Sequence, residues 1–209
     1  MRARFSTDEI AAAALRLVDE SGVAALSMRS LAAALGTGPM TLYNYVDGKE
    51  GLEELVVSAV VAGMRLPDLT DDWQHDAHAI ATAMWQAIRA HPAAIPLVLT
   101  RRMVSATGFA AADALIAALD RAGLDDAHRL AAFHALLGFV TGAAQADLAG
   151  PLVAARIGSV ADGQYPNVTA LSKVAAKTSV EVDFDRGLRM LLDGIAARAR
   201  RPQQHRRRR

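Results

Sequence analysis

Between Leu26 and Lys49 the chain reads LSMRSLAAALGTGPMTLYNYVDGK, and this stretch constrains the fold more than any other. Counted from Met28, an apolar residue stands at the fourth position (Leu31), a small one at the fifth (Ala32), and apolar ones at the eighth (Leu35) and fifteenth (Leu42), with Gly36 at the ninth. Ser27 is placed to cap a first helix by accepting a backbone N–H bond, and Leu31, Leu35 and the alanines from Ala32 to Ala34 give one apolar face at helical spacing. Ala32 is small where a second helix must pass close by. Gly36 suits the left-handed conformation that ends a helix, and Gly38-Pro39 continues the bend into a second helix predicted over about 40–46. There Leu42 and Val46, four apart, point inward, which leaves Thr41, Tyr43, Asn44 and Tyr45 facing outward or sideways. The pattern is a helix-turn-helix.

This segment resembles the DNA-binding domain of the TetR family of transcriptional repressors. The resemblance is carried by Leu26, Arg29, Leu31, Ala32, Leu35, Gly36, Thr41, Leu42, Tyr43, Val46 and Lys49, after a helix that ends in Glu20-Ser21-Gly22-Val23. It implies that Arg29, Thr37, Pro39, Met40, Thr41, Tyr43, Asn44, Tyr45 and Lys49 form the surface that meets a double-stranded DNA operator. Within it, Tyr43 and Lys49 are expected on phosphate, Arg29 on a guanine edge, and Thr41 on a phosphate or a thymine methyl. The tetracycline repressors carry Gln-Pro just before this threonine, whereas here Pro39-Met40 stands there, so their operator sequence does not transfer.

Composition sets the outer limits. The chain has 209 residues, an apolar fraction of 52% and no cysteine. That is enough for a sizeable core, and it excludes disulfides, thiolate zinc sites and cysteine redox sensing. No apolar run approaches the length of about 18 residues that a membrane span needs, and MRARFSTDEI turns polar too early for a secretory signal. The expectation is therefore a cytoplasmic protein with no membrane partner. The net charge of +1 conceals an asymmetry. Arg198, Arg200, Arg201 and Arg206 to Arg209 crowd the end with no acid among them, so the rest is net acidic. The first fifty residues are nearly balanced, and the case for DNA rests on the motif. The Arg-rich tail reads as a disordered, solubilising end; its alternative is a salt-sensitive, sequence-independent attraction to polyanions.

From Phe5 onward the pattern is helical nearly throughout. Ser6-Thr7-Asp8-Glu9 is a capping box, and Ile10, Ala13, Ala14, Leu17 and Val18 give a stripe that packs on the motif helices. Arg2 and Arg4 precede it in an arm. Lys49 opens a longer helix to about residue 64, with Leu52, Leu55, Val56, Ala59, Val60 and Gly63 as its stripe. Leu66-Pro67-Asp68-Leu69-Thr70 breaks the pattern, and Asp71 or Asp72 caps the next helix. Helices are further predicted over about 108–122, 125–149 and 183–200, with Ala155 to Ser172 as a mobile loop on its Gly, Asp, Pro, Asn and Ser content. The fold class is all-α. Residues 1–48 form a three-helix DNA-binding head, 49–66 a connecting helix, 67–200 a helical ligand-binding and dimerisation domain, and 201–209 the tail.

A head this small reads few base pairs, and a two-fold dimer doubles the contact if its recognition helices lie about 34 Å apart. The resemblance implies a homodimer in which the helix after Asp125 and the last helix form a four-helix bundle with their copies. It also implies that a small effector, apolar or aromatic, binds the body and releases the operator. Candidates for that pocket are Met84, Trp85, Ile88, Met103, Phe109, Phe133, Leu136 and Phe139, with His134, Thr141 and Gln145 as polar anchors. The region after the connecting helix resembles the tetracycline-repressor branch in Trp73-Gln74, in His91 before a broken helix, and in Gly138-Phe139-Val140-Thr141-Gly142. Phe139 stands where that branch has a metal-ligating histidine, and Arg65, Ile80 and Met84 replace other ligand contacts. A more apolar compound than tetracycline–magnesium is expected.

Neither His75 with His78 nor His128 with His134 has the arrangement of a metal site, and no cofactor is expected. With no G-x-S-x-G, H-E-x-x-H or P-loop, no catalytic residue is assigned and the chain is not read as an enzyme. Two readings remain: a sequence-specific repressor released by ligand, or a ligand-independent, nonspecific DNA-binding protein.

Overall fold

The computed structural model describes residues 5–100, 106–161 and 164–199, with the backbone course alone for 106, 107 and 147–161. Arg2, Arg4, Met103 and the Arg-rich tail lie outside the described residues. The described residues are all-α, with no strand. The chain divides into two compact units, one of Met1–Asp68 with Thr82–Leu115, the other of Leu69–Ala81 with Ile116–Arg209.

In the first unit α1 spans Thr7–Ser21, and the predicted capping box is formed: Glu9 N donates to Ser6 Oγ at 3.1 Å and Ser6 N to Glu9 Oε2 at 2.7 Å. The same bonds hold the Glu9 carboxyl below the usual carboxylate range, the Ser6 backbone N–H contributing most. Ile10, Ala11, Ala13, Ala14, Leu15 and Val18 are buried. Gly22, at φ 77, ends the helix. A 3-10 turn at Val23–Ala25 leads into α2 (Met28–Ala34). Its cap is reciprocal: Ser30 N donates to Ser27 Oγ at 3.1 Å and Ser27 N to Ser30 Oγ at 3.0 Å. Gly36, at φ 62, then turns the chain into α3, Pro39–Leu42. After it comes α4 (Gly48–Ala62), which buries Leu52, Val56, Val57, Val60 and Val61 and packs along α1.

The predicted second helix over 40–46 is shorter than expected. Beyond Leu42 the bonds tighten, with Tyr45 N donating to Leu42 O at 2.9 Å and Asn44 N to Thr41 O at 3.4 Å. These are i→i+3 bonds, the usual way a helix closes its last turn before a change of direction.

Helix α5 (Trp73–Arg89) opens on the cap expected from Asp72, whose Oδ1 accepts from Gln74 N at 2.9 Å and His75 N at 3.2 Å. Its later half belongs to the first unit, as do a 3-10 turn at Pro92–Ala94, α6 (Ile95–Thr100) and the start of α7 (Ala106–Arg121). The Pro92–Ala94 turn packs on α1 and α4, and α6 packs on α4. His91 Nδ1 lies 2.8 Å from Asp19 Oδ2 of α1.

The second unit holds α8 (Asp126–Ala161), α9 (Pro166–Ala175) and α10 (Val180–Ala199). Two expectations are corrected here. The helix after Asp125 does not stop near 149 but runs through Gly150-Pro151 to Ala161. A proline inside a helix costs about 3 kcal/mol, a local penalty that the rest of a 36-residue helix outweighs. Nor is Ala155 to Ser172 a loop: it holds the end of α8 and most of α9. Pro166 stands in the first turn of α9, where its missing N–H has no intrahelical partner to lose and its fixed φ favours the start of a helix. Buried residues include Ile80, Leu119, Leu136, Val140, Phe184, Leu188 and Leu192.

Candidate nucleic-acid interface

The interface is positioned from beneath by residues the motif placed inward. Leu31 and Leu42 are fully buried, and Ala32, Leu26 and Val46 nearly so. Because α3 is a single turn, Leu42 is its one buried side chain, and it sets which way the turn faces. Opposite to it Met40 is 76% exposed and Tyr43 54% exposed. Arg29, Pro39, Asn44 and Lys49 are also exposed, while Thr37, Thr41 and Tyr45 are half-buried.

Three of these residues have contacts of their own. The Tyr45 hydroxyl accepts a hydrogen bond from Phe5 N at 3.3 Å. Lys49 Nζ stands 3.9 Å from Glu53 Oε1, one turn along α4. Lys49 is exposed while Glu53 is buried, and at 3.9 Å the contact is a loose one that leaves the ammonium facing solvent. Thr37 N donates to Ala32 O at 2.9 Å within the turn, which makes Thr37 a brace of the turn as well as a neighbour of the interface.

The residues predicted for an effector pocket fall into both units. Met84, Trp85 and Ile88 are buried in the first, where the Arg89 guanidinium lies 4.7 Å from the centre of the Trp85 ring; Phe109, in the same unit, is exposed. In the second unit Leu136 is fully buried, Phe139 packs its ring 5.3 Å from that of Phe184, and Phe133 and exposed His134 hold their rings 5.9 Å apart. Thr141 Oγ1 donates to Leu137 O at 2.8 Å, a local bond within α8. The second unit also has an open groove of about 370 Å³ lined by Asp72, Gln74, His75, His78, Arg189, Leu192 and Asp193. None of the predicted effector residues lines it. Its edge is a hydrogen-bonded chain, His78 Nε2 to Asp185 at 2.8 Å and Asp185 to Arg189 Nε at 2.8 Å, and the Arg189 bond foremost holds the Asp185 carboxyl below its usual range. Among the described residues no group of three or more His, Asp or Glu is placed to hold a metal ion.

Sequence reasoning missed two buried charges, Glu53 on α4 and Asp76 on α5. Asp76 on α5 is fully buried and accepts from Thr70 N at 2.9 and 3.1 Å, from Thr70 Oγ1 at 2.9 Å, and from Arg121 Nη2. It ties the segment before α5 to the end of α7, within the second unit. A threonine six residues ahead of an aspartate early in a helix was the only local signal.

A helix-turn-helix head whose short, exposed second helix is closed by Tyr43, joined to a longer helical body, defines a DNA-binding regulator. Comparison with known families agrees: residues 4–56 match the model of bacterial regulatory proteins of the tetR family, and residues 66–199 that of the tetracyclin repressor-like C-terminal domain. The chain belongs to the TetR family of transcriptional regulators, a family of DNA-binding proteins rather than enzymes. It is 30% identical to the HTH-type transcriptional repressor DrrR1 of Streptomyces coeruleorubidus, over 91% of this chain and 77% of that one. It is 32% identical to an HTH-type transcriptional regulator of Saccharopolyspora erythraea, over 93% and 86%. In fold it is similar to ActR of Streptomyces coelicolor, solved in complex with actinorhodin, at a TM-score of 0.82 and 24% identity over 95% of this chain and 100% of that one. Among the described residues no helix is long and apolar enough to cross a membrane.

Proposed function

We propose that the chain is a repressor that binds a palindromic operator as a two-fold homodimer and leaves it when a small, largely apolar compound binds the body. Residues 1–48 act as the head, 49–66 as the connection and 67–200 as the effector and dimer domain. The observation that carries the reading is the single exposed turn of α3, held outward by one fully buried leucine and flanked by Arg29 and Lys49. Support for a ligand comes from ActR, whose structure holds actinorhodin, and from the buried apolar run Met84, Trp85 and Ile88. Support for a dimer comes from exposed small and apolar residues on the two helices named for it. These are Leu130, Ala131, Ala135, Gly138 and Gly142 on α8, and Met190, Gly194 and Ala197 on α10, with Met190 75% exposed.

Release follows from linkage. A ligand preferring the conformation that holds the two heads apart lowers operator affinity by that preference, typically about 1–3 kcal/mol. Selection of bound sequences from a random duplex pool at physiological salt tests the proposal. A palindrome with half-sites about one helical turn apart supports it. Enrichment of nothing, with binding that vanishes as salt rises, overturns it in favour of nonspecific attraction.

Two sets of variants add detail. Lys49→Ala and Tyr43→Phe are expected to weaken binding to all sequences alike, Lys49→Ala also lowering the salt slope by about 1, whereas Arg29→Ala costs about 1–3 kcal/mol and relaxes the preference at one base. Titration against matched and mismatched duplexes checks this. Met190→Asp is expected to raise the dimer dissociation constant at least about tenfold, because an unpaired carboxylate would be buried. An unchanged sedimentation profile would remove α10 from the dimer interface.

A further inference from the structure

Resting on the operator-binding reading, we propose that Met40 packs on a thymine C5-methyl group in each half-site, so that sequence preference at one position depends on a methyl group rather than on hydrogen bonding. No large apolar side chain among the described residues is more exposed than Met40, at 76%. It does not stand in a scattered position: it lies on the outward turn of α3, three residues from Tyr43 and two from the fully buried Leu42. Residues three apart on a helix are neighbours, so Met40 and Tyr43 share one surface.

The chemistry of this turn narrows what it can read. Gly38 has no side chain, Pro39 has no N–H, and the Thr41 N–H is directed at Gly38 O at 3.0 Å. The Met40 side chain has no donor, and its thioether is a weak acceptor. It cannot make the paired hydrogen bonds by which arginine, asparagine or glutamine recognise guanine or adenine. The major-groove edges of the four bases present one apolar group, the thymine methyl. An unbranched, polarisable side chain fits itself to such a group without demanding one geometry. Hydrogen-bonding specificity is left to Arg29, Thr41 and Asn44, on either side of the methyl contact.

The test uses the full-length protein and the duplex it selects. Each thymine of the half-site is replaced in turn by uracil, which removes the methyl and preserves the base pair. For the unaltered protein one uracil position is expected to weaken binding about fourfold per half-site and about fifteenfold when both half-sites carry it, the effect of losing one buried methyl at each. Met40→Ala should bind the methylated duplex more weakly and become indifferent to uracil there, while Met40→Leu retains the penalty. Equal binding of every uracil duplex by the unaltered protein overturns the proposal, as does the same uracil penalty in Met40→Ala. Because Met40 is exposed, these variants keep the fold, which circular dichroism verifies. Selection of no palindrome at all overturns the operator-binding reading and this proposal with it; a palindrome whose binding ignores uracil overturns only the methyl contact.

Discussion

Asp76→Ala is expected to lower the midpoint of thermal unfolding by about 10 °C at neutral pH. The carboxylate is fully buried, and what makes that tolerable is complete satisfaction: two contacts from Thr70 N, one from Thr70 Oγ1, and the Arg121 guanidinium. Alanine removes the buried acceptor that the Thr70 donors and Arg121 share, and although both of these reach solvent, breaking a buried charged partner out of its hydrogen bonds is costly. Asp76→Asn, which keeps an acceptor but no charge, is expected to lose about half as much. Burial by itself pushes the Asp76 carboxyl up, but the Thr70 bonds and the Arg121 charge together outweigh it and set the value below the ordinary one. A group whose folded value is depressed stabilises the fold fully above the unfolded value and loses that contribution as pH falls through the folded one. Calorimetry at several pH values therefore has a definite expected result. The gap between the unaltered protein and Asp76→Ala is full above about pH 5 and narrows below about pH 4. A gap that stays constant into acid would mean that the carboxyl titrates alike in the folded and unfolded chain, and a gap that widens into acid that burial outweighs its partners and keeps it neutral.

The second large effect is expected at Leu42. It is the only buried residue of α3, so Leu42→Ala opens a cavity under a helix of one turn that has little else to hold it. Leucine-to-alanine changes at fully buried sites cost about 3–5 kcal/mol when the surroundings do not collapse. Operator affinity should fall more than about tenfold even where the head stays folded, because the surface carrying Met40 and Tyr43 loses its fixed angle. Leu42→Met keeps the volume and should cost less than about 1.5 kcal/mol. Denaturant titration with binding measured on the same samples distinguishes loss of fold from loss of aim. Comparable binding by Leu42→Ala and the unaltered protein would show that the turn is held by something other than its leucine.

Local signals were legible in the sequence because each depends on residues a few positions apart. Ser6 with Glu9, Asp72 ahead of α5, and Leu31 with Leu42 each act within one turn or one motif, and their residue types announce the geometry. The whole proposed DNA surface lies within 29–49, which is why it was possible to name its residues together. The boundaries that failed did so where one residue type has two uses. Pro166 begins a helix and Pro151 lies inside one, yet both look like breakers to a composition reading. Asp76 was illegible for another reason: its partners stand six and forty-five positions away, and a charged residue in a helical pattern is ordinarily assigned to the solvent side. The same non-locality governs the effector candidates. Leu136 and Phe139 are separated by less than one turn, yet one is sealed in the core and the other leans on Phe184 from α10. Which apolar residue lines a space and which fills one depends on the tertiary arrangement, and periodicity gives the same signal for both.

The bond between Phe5 N and the Tyr45 hydroxyl ties the residue that precedes α1 to the surface proposed for the operator. Tyr45 offers one phenolic oxygen, and in the free protein that oxygen clamps the residue that leads into the Ser6 cap. A phosphate can only accept from the Tyr45 O–H, which leaves the oxygen's lone pairs for Phe5 N, so the clamp loosens only where that contact moves the ring; a contact that leaves the ring in place keeps it closed. The first turn of α1 thereby reports on how its neighbour is engaged, and protection of the Phe5 amide against hydrogen exchange is the reporter.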